Sequence, residues 1–297
     1  METNLTEVYL DNSATTRCSE RAKDVMVKVL MEDYGNPSSL HMKGVEAENY
    51  IKEAKKKIAK TLKADEKEIL FTSGGTESNN MAIIGTAMAN KRRGNHVIVS
   101  SVEHSSVKEP FNFLEEQGFR VTYLPVDAQG RVSIDALREA LDSETILVSV
   151  MYANNEIGTI EPVKEIGEIA KEHGIIFHTD AVQAFGHVPI NVDEYHIDMM
   201  SASGHKLNGP KGIGFLYIRT GIKTRSFMHG GAQERKRRGG TENVPGIVGF
   251  GKAVEIAMNT LEERTKKESE LRDYLMKRVM AEVPYVRING HRTSRLS

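Results

Sequence analysis

Short runs of β-branched and aliphatic residues alternate along most of the chain with longer runs whose apolar residues recur every three to four positions. The first pattern predicts buried strands and the second amphipathic helices. Strands are expected at 68–71, 96–100, 120–124, 145–151, 175–178 and 197–201. Between the fourth and fifth, 161–174 puts Val163, Ile166, Ile169 and Ala170 on one face, with Gly174 as the expected stop. After the Asn208-Gly209-Pro210 turn, 212–219 reads as a strand returning antiparallel. The alternation predicts an α/β fold with a mostly parallel central sheet and helices on both faces.

From about Met258 the pattern changes. A long, heavily charged helix over 261–283 carries Leu271, Leu275 and Val279 at one-stripe spacing. A further strand is expected at 286–288, and the sequence stops at Ser297 with little for this second layer to pack on. The expected organisation is an N-terminal arm (1–20) contributing to a small domain, a large domain (21–257) and the beginning of a small α+β domain (258–297).

At 297 residues the chain can bury a large core. Its 40 basic and 41 acidic residues nearly cancel, so nothing in the overall charge attracts nucleic acid or an anionic membrane. No run of ~18 apolar residues suggests a membrane span, and the N-terminus lacks the apolar stretch of a signal peptide. Cys18 is the only cysteine, which rules out internal disulfides and cysteine zinc sites and suits a reducing cytoplasm.

Candidate chemistry gathers in the loops after the expected strands. Thr72-Ser73-Gly74-Gly75-Thr76-Glu77 follows a strand and opens a helix with Met81, Ile84 and Met88 on one side. Such a start binds an anion through its exposed N–H groups and dipole, although Ser/Thr followed by Glu is also an ordinary capping signature. Asp180 ends a buried-type strand, where a carboxylate needs a partner or serves as a helix cap. Lys206 lies in Ser201-Ala-Ser-Gly-His-Lys206, on a small-residue loop after another strand, with Ser203 and His205 as further phosphate donors. A lysine amine and a carboxylate placed by different strands suit pyridoxal 5'-phosphate (PLP). The amine holds the aldehyde, and the carboxylate keeps the ring nitrogen protonated.

His104, just beyond a strand, is either structural or a ring-stacking acid-base group. Asn154-Asn155-Glu156 follows a strand at a usual place for ligand groups, and Asn155 could bind a carboxylate or the ring hydroxyl. Gln183 could also reach that hydroxyl. The stretch from Gly230 to Thr241 concentrates four cations between glycine pairs. It reads as a solvated loop, a nucleic-acid patch or an anion-binding loop using Thr241. Gly246-Ile-Val-Gly-Phe-Gly-Lys252 nears a nucleotide phosphate loop, but Ala253 stands where Ser or Thr is required, so a helix is expected there.

Together these residues resemble the cysteine desulfurase family, within the class V aminotransferase group of fold-type I PLP enzymes. The motifs occur in order: Leu10-Asp-Asn-Ser-Ala-Thr-Thr16, Tyr34-Gly-Asn-Pro-Ser-Ser-Leu-His41, Thr72-Ser-Gly-Gly-Thr-Glu-Ser-Asn-Asn80, Ser101-Val-Glu-His104, Met151-Tyr-Ala-Asn-Asn-Glu-Ile-Gly158, His178-Thr-Asp-Ala-Val-Gln183, Ser201-Ala-Ser-Gly-His-Lys206, then Gly230-Gly-Ala-Gln-Glu234 through Arg238-Gly-Gly-Thr-Glu-Asn243. The resemblance implies that Lys206 binds the cofactor covalently and moves the Cα proton. It implies that Asp180 pairs with the ring nitrogen, Gln183 bonds the ring hydroxyl and His104 stacks on the ring. Gly75, Thr76, Ser203 and His205 would hold the phosphate, Asn155 the substrate carboxylate, and the loop from Asn36 would line the entrance. Thr241 would reach the cofactor of a neighbouring subunit, implying a homodimer.

The implied reaction turns L-cysteine into L-alanine and passes sulfur to an enzyme thiolate, then to an acceptor or iron-sulfur scaffold protein. The family's nucleophilic cysteine and a carboxylate-clamping arginine lie in a C-terminal region that this sequence does not reach. Cys18 follows the N-terminal motif and is expected to be a structural thiol. A fragment of a longer desulfurase, a split enzyme and a PLP-binding scaffold with lost catalysis all remain open. Within the enzyme class, a selenocysteine lyase or another class V lyase is the alternative.

Overall fold

The computed structural model describes residues 7–226 and 228–297. After the arm come helices α1 (Glu20–Met31) and α2 (Met42–Leu62), strand β1 (Ile69–Thr72), helix α3 (Gly75–Asn90), β2 (His96–Ser100) and α4 (Ser105–Glu116). Then follow β3 (Arg120–Leu124), α5 (Ile134–Ala140), β4 (Thr145–Ser149), α6 (Val163–Glu172), β5 (Ile176–Asp180), β6 (Met199–Ser203) and β7 (Gly214–Ile218). The single turn α7 (Gln233–Lys236) precedes two long helices, α8 (Val244–Asn259) and α9 (Leu261–Glu282).

The strands form one seven-stranded sheet in the order β1-β7-β6-β5-β4-β2-β3. Strands β2 to β6 are parallel to their sheet neighbours among that set, and β7 runs antiparallel between β1 and β6. The expected mixed sheet and its returning strand are therefore present. Strands β5 and β6 each extend two residues beyond their expected ends, and β4 stops two residues early.

Both faces of the sheet are covered. Ile69 and Phe71 join one buried cluster while Leu70 joins the other, and the same alternation holds for Ile98 against Val97 and Val99. That is the period-two signature of a strand buried on both sides. One face packs against α2, α6 and α8, with the rings of Phe185, Phe215 and Phe250 meeting at centroid distances of 5.0 to 6.4 Å. Helices α3 and α4 cover the other face. Helix α6 buries Val163, Ile166, Ile169 and Ala170 as its periodicity predicts, and Gly174 turns the chain with φ +65°.

Helix α3 differs from its expected stripe. Ile83 and Ala87 are fully buried, whereas Ile84 and Met88 are only half-buried. The helix sits between the sheet and α4, so burial on two sides replaces a single apolar face. Residues 246–252 lie inside α8, as the failed phosphate-loop pattern implied. No strand forms at 286–288. The tail instead makes one isolated bridge, Thr159 to Arg295, and the Ile160 N–H donates to Ser294 O. No helix among the described residues is long and apolar enough to cross a membrane.

Candidate active site

Because β1, β2, β4, β5 and β6 point the same way, the segments after them converge at one edge of the sheet, where open α/β folds bind ligands. They line a cavity of about 570 Å³. Gly75 and Thr76 come from the start of α3, His104 and Ser106 from the start of α4, and Met151, Ala153, Asn155 and Glu156 from the loop after β4. Asp180 ends β5 with Val182 and Gln183 just beyond it, and Ser203 ends β6 with His205 and Lys206 just beyond it. Nine of the expected site residues thus share one cavity although they are drawn from positions 75 to 206.

The carboxylate and the amine are both under electrostatic stress. Asp180 is buried, which pushes its carboxyl above the usual range. The Val182 N–H at 2.9 Å and Asn79 Nδ2 at 2.7 Å partly offset that, as do the nearby His104 and Lys206. Its Asx-type turn with Val182 replaces the helix cap considered from sequence, because no helix follows β5. Burial likewise pushes the Lys206 amine down, against the pull of Asp180, Asp11 and Glu156. Burial and the Lys206 charge lower the His205 imidazole.

The N-terminal arm closes one side. Lys206 Nζ donates to the carbonyls of Ser13 and Ala14, the latter at 3.0 Å, and Gln183 Nε2 donates to Ser13 O at 2.9 Å. Thr16 binds His205 O through both its N–H (2.9 Å) and its hydroxyl (2.7 Å). Sequence reasoning missed Ser13 and Ala14 as wall residues, since a contact nearly two hundred positions away leaves no local pattern. It also missed Asn79, Ser106 and Glu103. Glu103 is buried beside the site, accepts from Ser100 Oγ and Met151 N at 2.6 Å each, and is pushed up to about 8 by burial. A polar residue inside a strongly apolar helix or after a strand was the available signal.

Two expected residues lie elsewhere. Asn36 is in the loop between α1 and α2, where its Oδ1 accepts from the Ser38 N–H at 2.9 Å. Thr241 lines a separate cavity with Thr72, Ser73, Gly212 and Arg238. A residue that serves a neighbouring subunit's cofactor would lie outside its own chain's cavity. The basic loop around it is pinned rather than loose. Arg238 Nε donates to Glu77 Oε1 at 2.9 Å, and Lys55 Nζ to Glu234 Oε2 at 2.5 Å.

The aminotransferase class-V family matches residues 8–297. A cysteine desulfurase IscS of Methanosarcina thermophila is 56% identical over 290 residues, spanning 98% of this chain and 72% of that protein. Among solved structures, a NifS-like protein superimposes with a TM-score of 0.91 at 42% identity, covering 93% of this chain and 76% of its own. A structure described as SspA in complex with cysteine gives 0.82 at 44% identity, over 84% of this chain and 72% of its own. The chain belongs to the aminotransferase class-V family.

PLP, the cofactor of that family, fits this cavity on three observations. A Cβ on Gly75 would lie 2.7 Å from Val182 Cγ2, so only glycine leaves the cradle at the start of α3 open. The first-turn amides of α3 have no partner within the helix and stand beside the cavity with Ser203 and His205, as a phosphate requires. Asp180 is a buried carboxyl whose stress a cationic ring nitrogen would relieve.

Proposed function

We propose that the cavity is the cofactor site of a PLP-dependent cysteine desulfurase, in which L-cysteine and an acceptor thiol give L-alanine and a persulfide. The observation that carries this reading is the convergence of Lys206, Asp180 and His104 from three strand ends on one cavity. The cofactor would be held by Lys206 at its aldehyde, by the first turn of α3 with Ser203 and His205 at its phosphate, and by Gln183 at its ring hydroxyl. Bound there, PLP supplies an electron sink conjugated to the substrate Cα.

The protein's own groups do the rest. Asp180 holds a proton on the ring nitrogen, which its burial makes worthwhile. Burial lowers the proton affinity of the Lys206 amine, the direction that suits a group assigned to move the Cα proton. Asn155 is assigned to the substrate carboxylate. The substrate C–S bond breaks as its sulfur bonds to the acceptor thiolate, the carbon side keeps the electron pair, and protonation at Cβ completes alanine.

Cys18 does not line the cavity, and burial together with Glu20 pushes its thiol up, away from the nucleophilic thiolate. The first acceptor in this reading is therefore a thiol other than Cys18, from which sulfur passes to a partner protein serving iron-sulfur cluster or thiocofactor synthesis. The position of Thr241 supports a homodimer with shared sites. The test is PLP-loaded protein mixed with L-cysteine and a dithiol, with alanine measured over time. Alanine at several turnovers that disappears in Lys206→Ala supports the reading. No alanine together with no change in the cofactor spectrum contradicts it.

A further inference from the structure

We propose that Asn79 is a positioning residue that ties Asp180 to His104 through the hydroxyl of Ser106. Asn79 lies one turn into α3 and is fully buried. Its amide has two hydrogens, and both are used. One goes to Asp180 Oδ2 at 2.7 Å and the other to Ser106 Oγ at 2.9 Å. With its oxygen accepting from Asn79, Ser106 turns its own hydrogen to His104 Nδ1 at 2.8 Å. The Ser106 N–H donates to the same ring nitrogen at 3.1 Å, capping α4.

An imidazole nitrogen that accepts from a backbone N–H carries no hydrogen. The neutral His104 ring therefore holds its hydrogen on Nε2, and from that atom it can give a proton rather than take one. The direction of the relay is set at its origin. Turning the Asn79 amide over would place Oδ1 against a carboxylate oxygen. Oδ1 has no partner among the described residues despite its burial, a cost accepted only because both donor bonds are made. The Ser106 N–H alone makes Nδ1 an acceptor, and the group that partners the cofactor nitrogen reinforces that tautomer by holding the Ser106 hydroxyl hydrogen on Nδ1.

The proposal rests on the reading of Asp180 and His104 as cofactor-facing groups. Its test uses cofactor-free protein, so a failure of PLP binding would be seen separately. The His104 ring nitrogens and the Asp180 carboxyl carbon are followed by NMR, assigned with His104→Gln and Asp180→Asn, in wild type, Asn79→Ala, Ser106→Ala and Ser106→Thr. Wild type is expected to show the hydrogen on Nε2. Loss of one hydrogen bond should reduce the tautomer preference roughly fivefold in Asn79→Ala and in Ser106→Ala. Asn79→Ala should also move the Asp180 titration upward, Ser106→Ala should move it far less, and Ser106→Thr, which keeps the hydroxyl, should move neither. A wild-type hydrogen on Nδ1, or an Asn79→Ala protein in which only one of the two reporters moves, overturns the relay. Should Asn79→Ala fail to fold, the Ser106 pair decides: equal His104 spectra in the Ala and Thr variants overturn it.

Discussion

Helices α3 and α9 are both long, yet they are held by different forces. Helix α3 is buried on two sides, with Ser78, Asn79, Met81, Ala82 and Ile83 all within the core. Helix α9 has no buried residue, and Leu271, Tyr274 and Leu275 are more than half exposed. Its ties are polar and peripheral: Arg264 donates to Gly186 O, and Arg272 Nη1 donates to Leu296 O at 2.6 Å. The contrast explains where the chemistry sits. A buried polar group must find partners at definite geometry or lose free energy, so α3 can hold Asp180 in place through Asn79, whereas α9 places only an outer surface.

The largest expected effect lies at the carboxylate that α3 supports. Asp180→Asn removes the charge that keeps the ring nitrogen protonated, and alanine formation should fall roughly 10³-fold, about 4 kcal/mol in the barrier. PLP retention, measured by gel filtration and absorbance, should fall far less. Equal losses in both would make Asp180 a binding group only. Next comes the core beneath the site. Ile83→Ala in α3 should cost about 3 kcal/mol in chemical denaturation, through lost burial and a cavity.

The pH dependence sharpens the same contrast, because the buried polar groups lie around α3 and the sheet. Burial pushes the Glu103 carboxyl from 4.5 to about 8 and Glu161 to about 7. Between pH 4.5 and 8 the unfolded chain has lost the Glu103 proton while the folded one keeps it. Folded protein then binds more protons, and stability falls as pH rises, by up to ~1.4 kcal/mol per pH unit for one group. His178, buried and pushed down to about 3, acts oppositely below its usual 6.5. The window from pH 6.5 to 8 therefore isolates the carboxyls. Cofactor-free Glu103→Gln should show a flatter stability profile there than wild type, and an unchanged slope would mean that Glu103 is ionised in the fold. The smallest effect belongs to α9, where Leu275→Ala should change stability by no more than about 0.5 kcal/mol.

The same difference in burial governs what the sequence disclosed. Lys206, Asp180, His104 and Thr76 were legible because each lies at or shortly after the end of a strand, among small or capping residues. The strands were legible because two-sided burial makes them continuous apolar runs. Asn79 and Ser106 were harder to read, since a polar residue one turn into a helix, or in its capping turn, looks like a solvated one until its partners are known. The face of α3 was misjudged at Ile84 and Met88 for a related reason: periodicity finds one apolar stripe, and this helix is buried on two sides. The arm residues Ser13 and Ala14 meet Lys206 only through the fold. The spacing of Leu271, Leu275 and Val279 put an apolar stripe on α9, but all three are exposed, and spacing alone does not say whether anything covers them.

The account depends most on Lys206 as the covalent anchor of PLP. Borohydride reduction of the PLP-loaded chain, followed by peptide mass spectrometry, tests it directly. The account predicts a pyridoxyl adduct on the peptide containing Lys206 and its loss in Lys206→Ala. An adduct on a different lysine, with Lys206 unmodified, would contradict it.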